Sequence, residues 1–187
     1  MKYLIFSDLH GDYLSCQRII EEFKKSNCDK FIFLGDLLYH GPRNDLPSGY
    51  NTTKVVELLK PYKDKFIWIK GNCDAEVDEM ITEMTNDTNV SMVINGINFL
   101  FTHGHHLSSN YPDLNLKKGT IVVYGHYHKF EHKIIDEVCY LNIGSCSIPR
   151  DNKKQYGILD KDKITIFSFD NEVIFCENLN NLNKVAH

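Results

Sequence analysis

Three continuous apolar runs, at residues 2–7, 30–34 and 65–69, each lead into a polar residue of chemical interest, and helical periods separate them. Cys16, Ile19, Ile20 and Phe23 stand at i, i+3, i+4 and i+7, and Val55, Leu58, Leu59 and Tyr62 repeat that spacing behind Asn51, a residue type that caps helices. Val77, Met80, Ile81 and Met84 form a third copy. Runs without polar alternation suit strands buried on both faces. Strand–helix–strand alternation calls for right-handed crossovers and a parallel sheet, whose strands end along one edge. This order predicts that Asp8, Asp36 and Asn72 converge there.

The second half changes character. Residues 90–94 and 97–102 flank Asn95-Gly96, a type I′ hairpin signal. Further strand-like runs lie at 120–124, 139–143, 156–159, 164–169 and 173–176, with Asp170-Asn171 as a turn. The expected fold is α/β, two packed sheets flanked by helices. A chain of 187 residues suits one domain with a core and a cleft. No repeat or Pro/Gly-rich linker divides it, so residues 1–178 are read as one domain and 179–187 as a polar tail that frays.

Charge and cysteine usage narrow the function classes. Twenty-five acids outnumber 21 bases, against the basic excess that bulk nucleic-acid binding needs. The six cysteines are scattered without a C-x-x-C pair, as expected of reduced thiols in a cytoplasmic protein. The apolar run at residues 3–6 is too short for a signal peptide or a membrane span.

The chemistry lies in five blocks: Asp8-Leu-His10, Gly35-Asp36, Gly71-Asn72, His103-Gly104 and Gly125-His126-Tyr-His128. The D-x-H and H-x-H spacings are expected to put both side chains on one face of an extended segment, where each pair can chelate. Adjacent glycines allow sharp turns at strand ends. Any one block alone is commonplace, but four histidines beside glycines at strand ends are an improbable coincidence. Carboxylate, amide oxygen and imidazole together suit divalent Mn, Fe, Co, Ni or Zn, with Mn²⁺ taken first. Seven ligands, Asp8, His10, Asp36, Asn72, His103, His126 and His128, are too many for one ion. Two ions about 3.5–4 Å apart, sharing a carboxylate, would use the set and generate a hydroxide nucleophile for phosphorus.

In this order the blocks resemble the calcineurin-like metallophosphoesterase superfamily, whose pattern is D-x-H, G-D, G-N-H-[DE], G-H and G-H-x-H. The runs His40-Gly-Pro-Arg43-Asn, Gly71-Asn-Cys-Asp-Ala-Glu-Val-Asp78, Thr102-His-Gly-His105 and Asn142-Ile-Gly-Ser-Cys-Ser-Ile-Pro149 are similar to its small YfcE-type bacterial phosphodiesterases over nearly the whole chain. The resemblance implies a four-layer αββα sandwich. It also implies that Asp8, His10 and His128 hold one ion, that Asn72, His103 and His126 hold the other, and that Asp36 bridges them. The substrate it implies is a small phosphodiester.

Cys73 departs from the superfamily pattern, standing where many members carry the histidine of G-N-H-[DE]. A thiol protonates a leaving group poorly, which favours diesters with good leaving groups over monoesters. The bland alternative is that Cys73 only leaves room. Asp74 is read beside Asp36, Asn72 and Cys73 as part of the catalytic set, orienting a neighbour. Arg43 and His105 are candidate substrate contacts, with a surface role for Arg43 equally open. Asp12 is read as a helix cap. Two rival functions remain on the same fold, a protein-binding scaffold and a nuclease. A homo-oligomer is compatible with the sequence, and a membrane partner is not expected.

Overall fold

The computed structural model describes residues 1–183. In chain order it contains β1 (Lys2–Phe6), α1 (Tyr13–Lys25), β2 (Lys30–Phe33), α2 (Thr52–Leu59), a 3₁₀ turn (Lys60–Lys65), β3 (Phe66–Ile69) and α3 (Glu76–Thr82). There follow β4 (Asn86–Asp87), β5 (Asn89–Ile94), β6 (Ile97–Thr102), β7 (Ile121–Tyr124), β8 (Phe130–Ile135), β9 (Val138–Ile143), β10 (Gln155–Asp160), β11 (Lys163–Ser168), β12 (Val173–Asn178) and α4 (Leu179–Asn183). Two mixed sheets pack face to face, one ordered β12-β11-β10-β1-β2-β3-β4 and the other β5-β6-β7-β9-β8. This is the expected α/β sandwich of two mixed sheets with helices.

The apolar runs are continuous because both faces of their strands are buried. In β1, Tyr3 and Ile5 face the core between the sheets, while Leu4 and Phe6 face the core under α1 and α2. Ile32 and Leu34 against Phe31 and Phe33 repeat the division in and just beyond β2. β7 divides likewise: Ile121 and Val123 join the inter-sheet core, and Val122 and Tyr124 face outward beneath Leu107 and Leu116. The cover over this outer face thus includes residues of the segment between β6 and β7. Truncating a fully buried ring of the inter-sheet core, as in Phe101→Ala, costs about 3–5 kcal/mol by the usual cavity arithmetic.

Local signals hold where a short-range partner carries them. Asp12 caps α1, accepting from the Leu14 N–H at 3.2 Å, and Asn51 caps α2, accepting from the Lys54 N–H at 3.0 Å. Asn95 and Gly96 have φ of 52° and 80°, the pair of positive values that a type I′ turn requires. β1, β2 and β3 are parallel, so their carboxyl ends do meet along one edge.

Two expectations need correction, and one strand was not foreseen. The third apolar stripe does form a helix, α3, but Val77, Met80 and Ile81 lie on its exposed side, while Asp78 and Thr82 are buried. Asp78 turns back to accept from the Ala75 N–H at 2.9 Å, so hydrogen bonding rather than apolar burial sets how the helix sits. The tail expected to fray from residue 179 begins instead with α4, whose Leu179 and Leu182 complete the inter-sheet core; residues 184–187 lie outside the described residues. β8, at the edge of its sheet, is not among the expected strands: its three consecutive polar residues Glu131, His132 and Lys133 interrupt any apolar run.

Candidate active site

The five blocks meet at the strand-end edge, by a different backbone route from the expected one. Asp8, His10, Asp36, His126 and His128 are not extended; all five have left-handed backbone, with φ of 56°, 47°, 64°, 68° and 57°. The shared direction of each x-separated pair therefore comes from a tight left-handed turn just past the strand, and not from strand alternation. Such a conformation costs a non-glycine residue about 1 kcal/mol or more and persists only where the surroundings enforce it. Here the Asp8 N–H donates to the Gly35 carbonyl at 3.0 Å and the His10 N–H to the Asp36 carbonyl at 2.9 Å. The hydroxyls of Ser145 and Ser147 both donate to the Asp8 carbonyl, at 2.9 and 2.7 Å. Glycine is obligatory at two neighbouring positions, since a Cβ on Gly71 would stand 2.1 Å from Asp36 Oδ1, and one on Gly125 would stand 1.9 Å from Ser7 Oγ.

Three of the four histidines are locked in one tautomer by a backbone carbonyl. His10 Nδ1 donates to the Tyr39 carbonyl at 2.7 Å, His103 Nδ1 to that of Leu34 at 2.6 Å, and His128 Nδ1 to that of Ile148 at 2.9 Å. Their Nε2 atoms consequently face the centre of the cluster, and are acceptors whenever the ring is neutral. His10 Nε2 and His128 Nε2 approach to 3.4 Å, and His126 Nδ1 stands 3.3 Å from His103 Nε2, which is also 3.0 Å from Asn72 Oδ1. Each carboxylate has one oxygen restrained by a backbone N–H and the other turned inward. Asp8 Oδ2 accepts from His126 at 3.0 Å, and Asp36 Oδ1 accepts from Cys73 at 2.8 Å. The inward Asp36 Oδ2 lies 3.7 Å from His10 Nε2 and 3.5 Å from His103 Nε2, between the two halves of the cluster. Asp8 Oδ1 is buried without a well-formed hydrogen bond, its neighbours being His128 Nε2 at 3.3 Å and His10 Nε2 at 3.9 Å, an arrangement that a cation would relieve.

Charge in the cluster is tightly linked. Burial alone would push the His103 imidazole down, but the Asp36 carboxylate beside it raises its pKa to about 9. Burial, then the charge of His103, depresses His126 to about 4. Asp8 and Asp36 are held below the ordinary carboxylate range despite their burial, Asp8 chiefly by His128 and Asp36 chiefly by His103. In the metal-free protein the His103 proton thus supplies positive charge among the carboxylates. Donor atoms of Asp8, His10 and His128, and separately of Asp8, Asp36 and His103, lie within 4.8 Å of one another. Mixed imidazole and carboxylate donors of this kind hold divalent first-row ions.

The cluster opens on one side to a cavity of about 190 Å³ lined by Asp36, Asn72, Cys73, His126 and His128, with Arg43 on its wall. Cys73 is half-buried, and burial followed by the nearby Asp36 charge pushes its thiol up to about 12, so it is no thiolate nucleophile in the metal-free protein. Asp74, expected to belong to the catalytic set, does not face this cavity. Its carboxylate accepts from the Asp36 and Leu37 N–H groups at 3.0 and 2.7 Å, from Gly71 at 2.7 Å and from the Trp68 indole at 3.3 Å. It ties the loop after β2 to the loop after β3. His105, expected as a substrate contact, does not line the cavity; it packs against His103 and His126 at centroid distances of 5.3 and 6.0 Å.

Two features escaped the sequence reading. Arg150 lines the cavity from the loop after β9, with its N–H donating to the His128 carbonyl at 2.6 Å. Its only sequence signal was its place directly after Pro149, at the end of a motif already noted. The bracing hydroxyls of Ser145 and Ser147 lie in that same motif but act on a residue more than 130 positions away, which no local pattern discloses.

A family model described as the calcineurin-like phosphoesterase superfamily domain matches residues 1–163. The chain is 37% identical over 180 residues to Phosphodiesterase YfcE of Escherichia coli strain K12, covering 95% of this chain and 97% of that protein. It is 27% identical over 172 residues to Phosphodiesterase MJ0936 of Methanocaldococcus jannaschii, covering 87% and 95%. The solved structure of YfcE, described as a phosphoesterase from E. coli, superposes with a TM-score of 0.91 at 35% identity, covering 96% of this chain and all of that one. With the family model spanning most of its length and the fold shared throughout, the chain belongs to the calcineurin-like phosphoesterase superfamily.

Proposed function

We propose that this protein hydrolyses small phosphodiesters with two divalent metal ions, Mn²⁺ first among them, in the cytoplasm. One observation carries the reading: backbone carbonyls hold the Nδ1 atoms of His10, His103 and His128 and so aim their Nε2 atoms inward, as ligands once neutral, around a buried Asp8 oxygen without a hydrogen-bond partner. Asp8, His10 and His128 would hold one ion, Asn72, His103 and His126 the other, and Asp36 would serve both. Bound ions supply Lewis-acid activation of water and neutralise charge on the phosphoryl oxygens.

The remaining groups select the ester. Half-buried Cys73 beside the Asp36 carboxylate is a weak proton donor, so the leaving oxygen departs with little assistance and singly charged diesters with good leaving groups are preferred. Arg43 on the cavity wall offers a guanidinium fork to a non-bridging oxygen. All six cysteines are free thiols, consistent with a reducing compartment. Among the described residues no helix is long and apolar enough to cross a membrane.

The reading is tested with bis(p-nitrophenyl) phosphate after stripping and readdition of Mn²⁺. Turnover that returns with the metal supports it. Metal binding without turnover of any phosphoester would favour a protein-binding scaffold instead.

A further inference from the structure

Arg43 and Arg150 come from loops more than a hundred residues apart, and each lines two neighbouring depressions. One is the cavity over the histidine cluster. The other is a cleft of about 500 Å³ that continues past the arginines to Leu46, Ile148 and Pro149. Among the described residues neither guanidinium pairs with a carboxylate or donates a hydrogen bond, although acids stand close by in sequence. Asp151, next to Arg150, is engaged by the Phe130 N–H at 2.9 Å and by Gln155 Nε2 at 2.6 Å. In the cleft itself Lys154 is paired with Asp12 at 2.9 Å, which leaves Asp45 as the opposing charge to two arginines.

A simple diester carries one negative charge, and that charge sits over the cluster. Two unpaired guanidinium forks between the cavity and the cleft offer more than that single charge can use, while Leu46, Ile148 and Pro149 offer apolar surface for a sugar- or base-sized body. We infer that Arg43 and Arg150 form a specificity gate for diesters whose non-leaving arm enters the cleft carrying a second phosphoryl group. The inference rests on the phosphodiesterase reading, since it names the substrate class of that same site.

The test compares two chromogenic diesters, thymidine 5′-(p-nitrophenyl phosphate) and its 3′-phosphorylated counterpart. The wild-type protein should show about tenfold higher kcat/KM for the 3′-phosphorylated ester, carried mainly by a lower KM, as expected for one or two added charge-assisted hydrogen bonds. In Arg43→Gln and Arg150→Gln that ratio should fall towards one. A wild-type ratio of one or below overturns the gate while leaving the phosphodiesterase reading intact, and this comparison requires no variant to fold. Absence of turnover of either diester with Mn²⁺ overturns both.

Discussion

The floor of the site and its rim are built on opposite principles. On the floor, Asp8, His10, Asp36, His103 and His128 are buried, and all but His103 are held in left-handed backbone. Backbone carbonyls or N–H groups of other loops hold the outward atom of each of these side chains and so aim the inward one. At the rim, Arg43 and Arg150 are exposed, come from loops and have unpaired side chains. An over-determined floor holds donor atoms in place against their own repulsion, which is what binding multivalent cations demands. A rim with free hydrogen-bonding capacity is available to a ligand. Chemistry is thereby assigned to the floor and substrate choice to the rim, and substitutions in the two regions should fail differently.

The largest effect is expected from removing the shared carboxylate. Asp36→Asn should lower kcat on a chromogenic diester by roughly 10³-fold, a loss read in steady-state kinetics, since it removes a charge on which both halves of the cluster depend. Asp74→Asn tests the supporting layer. Its amide nitrogen would confront an N–H donor where four now converge, and a fall in activity or metal affinity of about 10–100-fold is expected. A change at Asp74 that moved substrate preference rather than metal affinity would blur the division between floor and rim.

The pH dependence of metal binding follows from His103. Its pKa of about 9 means that the metal-free protein retains a proton there below that pH, and a metal requires the neutral imidazole. Affinity for Mn²⁺ should therefore rise by about tenfold per pH unit on approaching pH 9 and level off above it, measurable by competition with a chromogenic chelator. Flat affinity across that range would show that His103 is not a ligand. At the rim the expected changes are smaller and concern ratios. Cys73→His should raise monoester relative to diester turnover by about tenfold, with the metal content unchanged. An unchanged ratio would reduce Cys73 to a space-filler.

The same division separates what the sequence disclosed from what it concealed. The floor was legible because each of its residues follows an apolar run or a glycine, and the parallel topology of β1, β2 and β3 carries those ends to one edge. Its backbone conformation was not, because the left-handed turn at Asp8 is braced by Ser145 and Ser147, far along the chain, and that at His10 by the Asp36 carbonyl. Arg150 was missed because loop packing, not local pattern, brings it to the cavity. The stripe of α3 misled for a related reason: periodicity identifies an apolar face, but only tertiary contacts decide whether a partner covers it, and Val77, Met80 and Ile81 stay exposed. The two leucines of α4 were too few to register as a pattern, yet both are buried.

Whether Asp36 serves two ions is decided by calorimetric titration of Mn²⁺ into metal-stripped protein, with wild type and Asp36→Asn run side by side at one pH. Two ions should bind per chain in the wild type, with a loss of stoichiometry or affinity at both sites in the variant. A wild-type chain that binds a single ion or none, or a variant that binds as the wild type does, would contradict that shared role.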